Sequence, residues 1–239
     1  MQEFASRSGA INLVEQFERE ETLPLKDAVF GTLATWIKAD NFEGKRRFIE
    51  EKQGLEYLSR LVCDTNVNQN FTMRLRKKIA NLIADLVTND DGIYEQNPFI
   101  VRQHFCNDSA FVNKLIEIVV NSDLSNMQEL QLREYMLRIL FRLHQYKPQV
   151  VGPTVTPALY SHRANILAFI AQPSADQDLK DMLNEELTLT DECLAAPTRP
   201  FVRNFESQTE EEKVREKPKG AAAAGKPTSS NIHGFSLKN

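Results

Sequence analysis

Leu75, Ile79, Leu82, Ile83 and Leu86 recur at helical spacing within Arg74–Val87 and predict one buried helix face. Arg74, Lys77, Lys78, Asn81 and Asp85 form the opposite stripe at steps of three and four. Cations stand in the first turn and an acid near the end, against the helix dipole, at a cost of roughly a few tenths of a kcal/mol per group. Local helix stability therefore did not choose these charges. A solvated face is the plain reading; a partner-binding face is the sharper one.

The same periodicity predicts a helix with an internal turn over 4–21, with Ile11, Leu13, Val14 and Phe17 on its apolar face. Pro24 suits the first turn of the next helix, 25–39, which would bury Val29, Phe30, Leu33, Trp36 and Ile37. A third helix is expected around 44–53, Gly54 punctuates it, and LEYLSRLV opens a fourth. The polar loop DTNVNQN then leads into 73–87.

This order repeats. Phe4 stands nine residues before Leu13 with Gly9 between them, and Phe48 stands ten before Leu58 with Gly54 between. Each pair is followed by a polar break and a longer amphipathic helix. A third copy runs from Phe105, ten before Leu115, through NSDLSNMQE to the long helix LQLREYMLRILFRLHQ. A period of about 45 residues is that of armadillo or HEAT repeats. The longer interval before the third copy is read as an insertion, TNDDGIYEQNPFIVRQH, residues 88–104. The expected fold class is all-α: an armadillo/HEAT-like α-solenoid of about three repeats. A chain opening at the first helix of a repeat would leave a raw apolar end, which predicts further repeats upstream.

Two segments within 158–194, joined across Pro173, would cap the array, with Pro148, Pro153 and Pro157 marking an irregular join before them. From Pro197 the composition turns charged, then small and Pro/Gly-containing, with little to bury. The domain reading is thus 1–196 for the repeat domain and 197–239 for a polar tail, disordered from about 203. A short helix near 207–217 would be marginal.

A hydrophobic content of 41% with 26% charged residues is ordinary for a globular chain. The net charge of −4, with no basic groove-reading motif, gives no reason to expect nucleic acid. No apolar run is long enough to span a membrane. The N-terminus lacks a signal-peptide layout and FSLKN is not a retention signal. Both favour the cytoplasm, with the endoplasmic reticulum lumen as the alternative if a signal precedes this chain.

Chemistry leaves few traces. The chain has no phosphate-cradling glycine loop, GxSxG, HExxH or CxxC, so no enzyme activity and no cofactor is expected. Cys63, Cys106 and Cys193 read as small buried or half-buried thiols, and the four histidines share no ligand spacing. Glu185–Glu186 and Asp90–Asp91 are adjacent, splay on a helix, and read as solvated surface. DDGIYEQN lacks the acidic alternation of a calcium loop. The sequons at Asn70 and Asn107 are at the frequency expected by chance, so they assign no compartment.

What remains is shape. In an armadillo-type array the long third helices line the binding face. Aligning them places Thr35, Asp85 and Arg142 in equivalent positions, with Lys38, Lys78, Asn81 and Arg138 beside them. Exposed polar residues from successive repeats could grip an extended peptide or the side of a globular domain.

LKDAVFGTLATWIKADNFEGKRRFIEEKQGLEYLSRLV followed by LRKKIANLIADLVTND resembles the armadillo core of the heat-shock-70 nucleotide exchange factors, cytosolic and reticular. FVNKLIEIVV, LREYMLRILFRLHQ and DLKDMLNEELTLTDECL fit that family's last repeat and closing helix, so the likeness spans roughly residues 4–195. The resemblance implies a non-enzymatic clamp. Its concave face would wrap one lobe of the chaperone's ATPase domain, displace it and let ADP leave. The concave Asn usual in armadillo helices is Thr35, Asp85 and Arg142 here, so the face carries over rather than any single contact. The alternative is an armadillo or HEAT scaffold for an unrelated protein or peptide.

Overall fold

The computed structural model describes residues 9–38, 48–49, 53–64, 70–88 and 96–195. Among them the regular structure is all α-helical. Helix α1 spans Gly9–Arg19, α2 Leu23–Lys38, α3 Gly54–Cys63, α4 Met73–Thr88 and α5 Gln96–Asn107. Helix α6 spans Ser109–Asn121, α7 Met127–Tyr146, α8 Pro148–Ile170 and α9 Gln177–Ala195. The expected tail, the start of the chain before Gly9 and most of the helix expected at 44–53 lie outside the described residues.

Side-chain caps fix several of the starts. Thr72 accepts from the Leu75 amide, Asp108 from Phe111, Asn126 from Gln128 and Asp176 from Leu179, at 2.9–3.2 Å. Each satisfies an amide that the helix itself leaves unpaired, worth about 1 kcal/mol. Asp108, the middle residue of the second sequon, is therefore one of these caps.

The apolar periodicities bury as read. In α4, Leu75, Ile79, Leu82, Ile83 and Leu86 are all inside, joined by Ala80, Ala84 and Val87. In α2, Val29, Phe30, Leu33 and Ile37 are buried and Trp36 partly so. Burying a side chain of this size stabilises by about 1.5–3 kcal/mol. Phe17 of α1 is an aromatic hub, edge-on to Phe30, Tyr57 and Phe71 with centroids 5.8–6.5 Å apart. It joins the first two helices to α3 and to Phe71, two residues before α4. Phe105 stacks on Phe111 at 4.4 Å, closing the α5–α6 corner.

The long helices lie against one another in chain order: α2 on α4, α4 on α7, and α7 on α9. Helices α3, α5, α6 and α8 pack against them and against one another, with α8 touching α6, α7 and α9.

Two sequence expectations change. The segment read as an insertion at 88–104 contains most of α5, whose Val101 and Phe105 are fully buried. Arg102 is buried too, and its Nε donates to the Val87 carbonyl at 2.7 Å, satisfying the C-terminal end of α4. Polar residues around these two anchors weakened the periodic signal. The proline-rich join is also helix. Pro148 occupies the first turn of α8, and Pro153 and Pro157 sit inside it on the exposed side. Each internal proline deprives one carbonyl of its N–H partner, but on this side water can take its place. Val151, Val155, Leu159 and Ile166 hold the opposite side in the core.

Candidate functional site

Helices α7 and α9, with the end of α4, enclose a groove of about 440 Å³. Glu134, Arg138 and Arg142 project from α7 at steps of four, so one stripe of that helix forms a wall. Glu185, Thr188 and Glu192 do the same on α9 at steps of three and four. Leu130, Phe141, Met182 and Leu189 supply the apolar surface between the walls. The groove therefore offers an apolar strip between an acidic wall and a wall carrying two arginines.

Of the seven residues expected on the binding face, Arg138 and Arg142 are the two that line this groove. Arg138 is exposed and pairs with Glu134 one turn earlier. Arg142 is half-buried, lies over the Phe141 ring at 5.5 Å and donates to Gln145 at 3.2 Å. A guanidinium this close to a ring gains a modest cation–π attraction.

The others serve differently. Lys78 is bound inside the protein: its Nζ lies 2.7 Å from the Asp27 carboxylate and 3.2 Å from the Asp27 carbonyl on α2. Arg74 approaches the same carboxylate at 3.3 Å. The first-turn cations that oppose the α4 dipole are thus compensated by an acid on the neighbouring helix, so the polar stripe is not a purely solvated face. Thr35 is exposed and its hydroxyl donates back to Gly31 within α2 at 2.8 Å. Asn81 and Asp85 are half-buried on α4. Lys38 ends α2, and its side chain lies outside the described residues.

Glu185–Glu186 was expected on the surface as a pair, and only half of it is. Glu185 is exposed, whereas Glu186 is 4% exposed and buried against Arg133 and His162. Arg133 Nε reaches both carboxylate oxygens at 3.1 and 3.2 Å, and His162 Nε2 lies 2.8 Å from Oε1. Arg133 Nη1 also donates to the Asp123 carbonyl at 2.9 Å. One carboxylate thereby ties α7, α8 and α9 together beneath the groove. Adjacent acids splay around a helix as expected; here the splay turns one of them inward. A buried acid among EELTLTDE resembles its solvated neighbours in sequence, and only the matching period of Leu179, Leu183 and Glu186 could have marked it.

The three thiols are unpaired. Burial pushes Cys63 up to about 11 and Cys106 and Cys193 up to about 12, so none is an activated nucleophile. Among the described residues no group of three or more His, Cys, Asp or Glu could hold a metal ion. No helix among them is long and apolar enough to cross a membrane. Comparison with protein-family models, with curated proteins and with solved structures gives no match to this chain.

Proposed function

We propose that this chain is an armadillo-type co-chaperone that binds the ATPase domain of a heat-shock-70-type chaperone and promotes release of ADP. The observation that carries the reading is the succession of long helices α2, α4, α7 and α9, each packed on the next, with a charged groove at its α7–α9 end. Such a succession is what stacked three-helix repeats would produce, with α2, α4 and α7 as the third helices and α9 as the closing one. The resemblance of the sequence to the exchange-factor core supplies the identity of the partner.

The mechanism requires no catalytic group. A rigid helical face that binds an opened arrangement of the ATPase lobes more tightly than the closed one shifts the population toward the open form. The bound nucleotide then loses contacts from one lobe and dissociates faster. In this scheme Arg138 and Arg142 engage acidic groups on the chaperone lobe, while Glu185 and Glu192 engage basic ones.

The test is release of a fluorescent ADP analogue from a heat-shock-70 ATPase domain, with and without this protein. Acceleration that is lost in the Arg138→Glu/Arg142→Glu double variant supports both function and face. No acceleration by the folded protein overturns the exchange-factor reading and leaves a scaffold for another protein or peptide.

A further inference from the structure

The groove between α7 and α9 has a direction and two unlike sides. The two helices run the same way: Arg133 meets Glu186, and His144, further along α7, meets the Cys193 carbonyl, further along α9. On the α9 side Glu185 and Glu192 are both exposed and stand two helical turns apart, about 10 Å. On the α7 side Arg138 and Arg142 stand one turn apart, and Glu134 offsets one of them by pairing with Arg138. Glu186 also borders the groove, but its charge is taken up by Arg133. The α9 side is thus doubly negative, the α7 side singly positive, and the groove as a whole negative.

The walls also select the backbone that can lie between them. An extended peptide brings unpaired N–H and C=O groups that its host must satisfy. Both walls are α-helices, whose backbone groups are paired within the helix. No asparagine or glutamine, whose amide both donates and accepts, lines the groove among the described residues. Thr188 turns its hydroxyl back to the Asn184 carbonyl at 3.0 Å. A helix arrives with its backbone already satisfied and needs only apolar surface and matching charge, which Leu130, Phe141, Met182 and Leu189 and the two flanks provide.

We infer that the occupant of this groove is a net-basic amphipathic α-helix of the partner. Its apolar stripe seats between α7 and α9, its lysines or arginines lie two turns apart against Glu185 and Glu192, and an acid on its other edge meets Arg142. The inference rests on the proposed function in taking this groove as the partner contact. Peptide binding is read without chaperone or nucleotide, so the two can fail separately.

The full chain is titrated into a dilute fluorescein-labelled peptide of about three heptads, with leucine at a and d, lysine along one edge and glutamate along the other, and anisotropy is followed. Binding should saturate, and replacing the lysines by glutamate should weaken it at least about fivefold. Glu185→Lys/Glu192→Lys protein should reverse the preference and bind the glutamate-edged peptide better, an outcome that a misfolded variant would not give. A proline in the middle of the peptide's outer face leaves its apolar and charged side chains in place but breaks the helix, and should abolish binding. Absence of saturable binding, an unchanged preference in the charge-reversed protein, or full binding of the proline peptide overturns the inference. Peptide binding without accelerated ADP release sinks the exchange-factor reading and upholds the helical occupant; acceleration without peptide binding does the reverse.

Discussion

Arg133 of α7 meets Glu186 of α9 side-on in the protein interior, its Nε 3.1 and 3.2 Å from the two carboxylate oxygens, with the arginine wholly buried and the glutamate almost so. The pair is incompletely satisfied, since Arg133 Nη2 is buried without a hydrogen-bond partner. Breaking such a pair and replacing it have opposite consequences. Glu186→Ala strands a buried guanidinium and should cost about 3–5 kcal/mol. The double change Arg133→Met/Glu186→Leu should recover part of that loss, because both desolvation penalties disappear together while the buried His162 still loses its partner. Urea unfolding of the two singles and the double gives the coupling directly. Singles whose losses simply add would show that the pair does not act as a unit.

Gly54 explains a glycine that recurs in the repeat pattern. A Cβ at this position would lie 2.3 Å from the Phe48 carbonyl oxygen and 2.6 Å from its ring, too close for a backbone neighbour to yield. The preceding Gln53 turns the chain with φ 50°, in the left-handed region. Gly54→Ala should destabilise by at least about 1–3 kcal/mol through overpacking. Gln53→Gly should be neutral or stabilising by a few tenths of a kcal/mol, since it relieves the backbone at little cost in contacts. Thermal melts of the two variants should move in opposite directions, or the second not at all.

That glycine was legible in the sequence, as were the faces of α2 and α4, because amphipathic periods are local signals. The proline segment of α8 was not. Local propensity says stop at Pro153 and Pro157, and only the packing of Val151, Val155 and Leu159 on the body of the protein overrides it. Nor was the front of α5, where the buried Val101 is followed by Arg102, Gln103 and His104. Aligning the long helices brought Arg138 and Arg142 together, and both line the α7–α9 groove. The roles of Asp27 and Glu186 were not legible, because a charge's partner is set by which helices become neighbours. Those contacts bridge 51 and 53 residues of sequence.

His144 ends α7 with its ring buried, its Nδ1 3.0 Å from the Cys193 carbonyl of α9. A carbonyl only accepts, so Nδ1 carries the proton. Burial lowers the pKa of this imidazole below its ordinary value, and the bond to the carbonyl offsets only part of that. The unfolded chain therefore takes up a proton at higher pH than the folded one. This contribution to stability is complete above the unfolded value, about 6.5. It falls as the pH drops below that value and is lost by the lower folded pKa. Urea midpoints should decline from pH 7 toward 5 in the wild type. His144→Asn keeps an N–H near the Nδ1 position but cannot titrate, so its decline over the same range should be shallower. Parallel profiles for the two proteins would remove His144 as the source.

The two kinds of cation on the long helices should separate in one pair of assays. Lys78 is an internal strut between α4 and α2, about a third exposed against a largely buried Asp27. Lys78→Met should lower stability by about 1 kcal/mol, since solvent screens part of the interaction. It should leave the proposed nucleotide-release activity intact at temperatures where the protein stays folded. Among the described residues, Arg138 and Arg142 form ion pairs and hydrogen bonds only along their own helix. Reversing both should leave the melting temperature nearly unchanged and remove the proposed acceleration of ADP release, because a charge without a tertiary ion-pair partner contributes little to the fold and much to encounter with a charged surface. If Lys78→Met abolished release at unchanged stability, the binding face would extend across α4 and the strut would double as a contact.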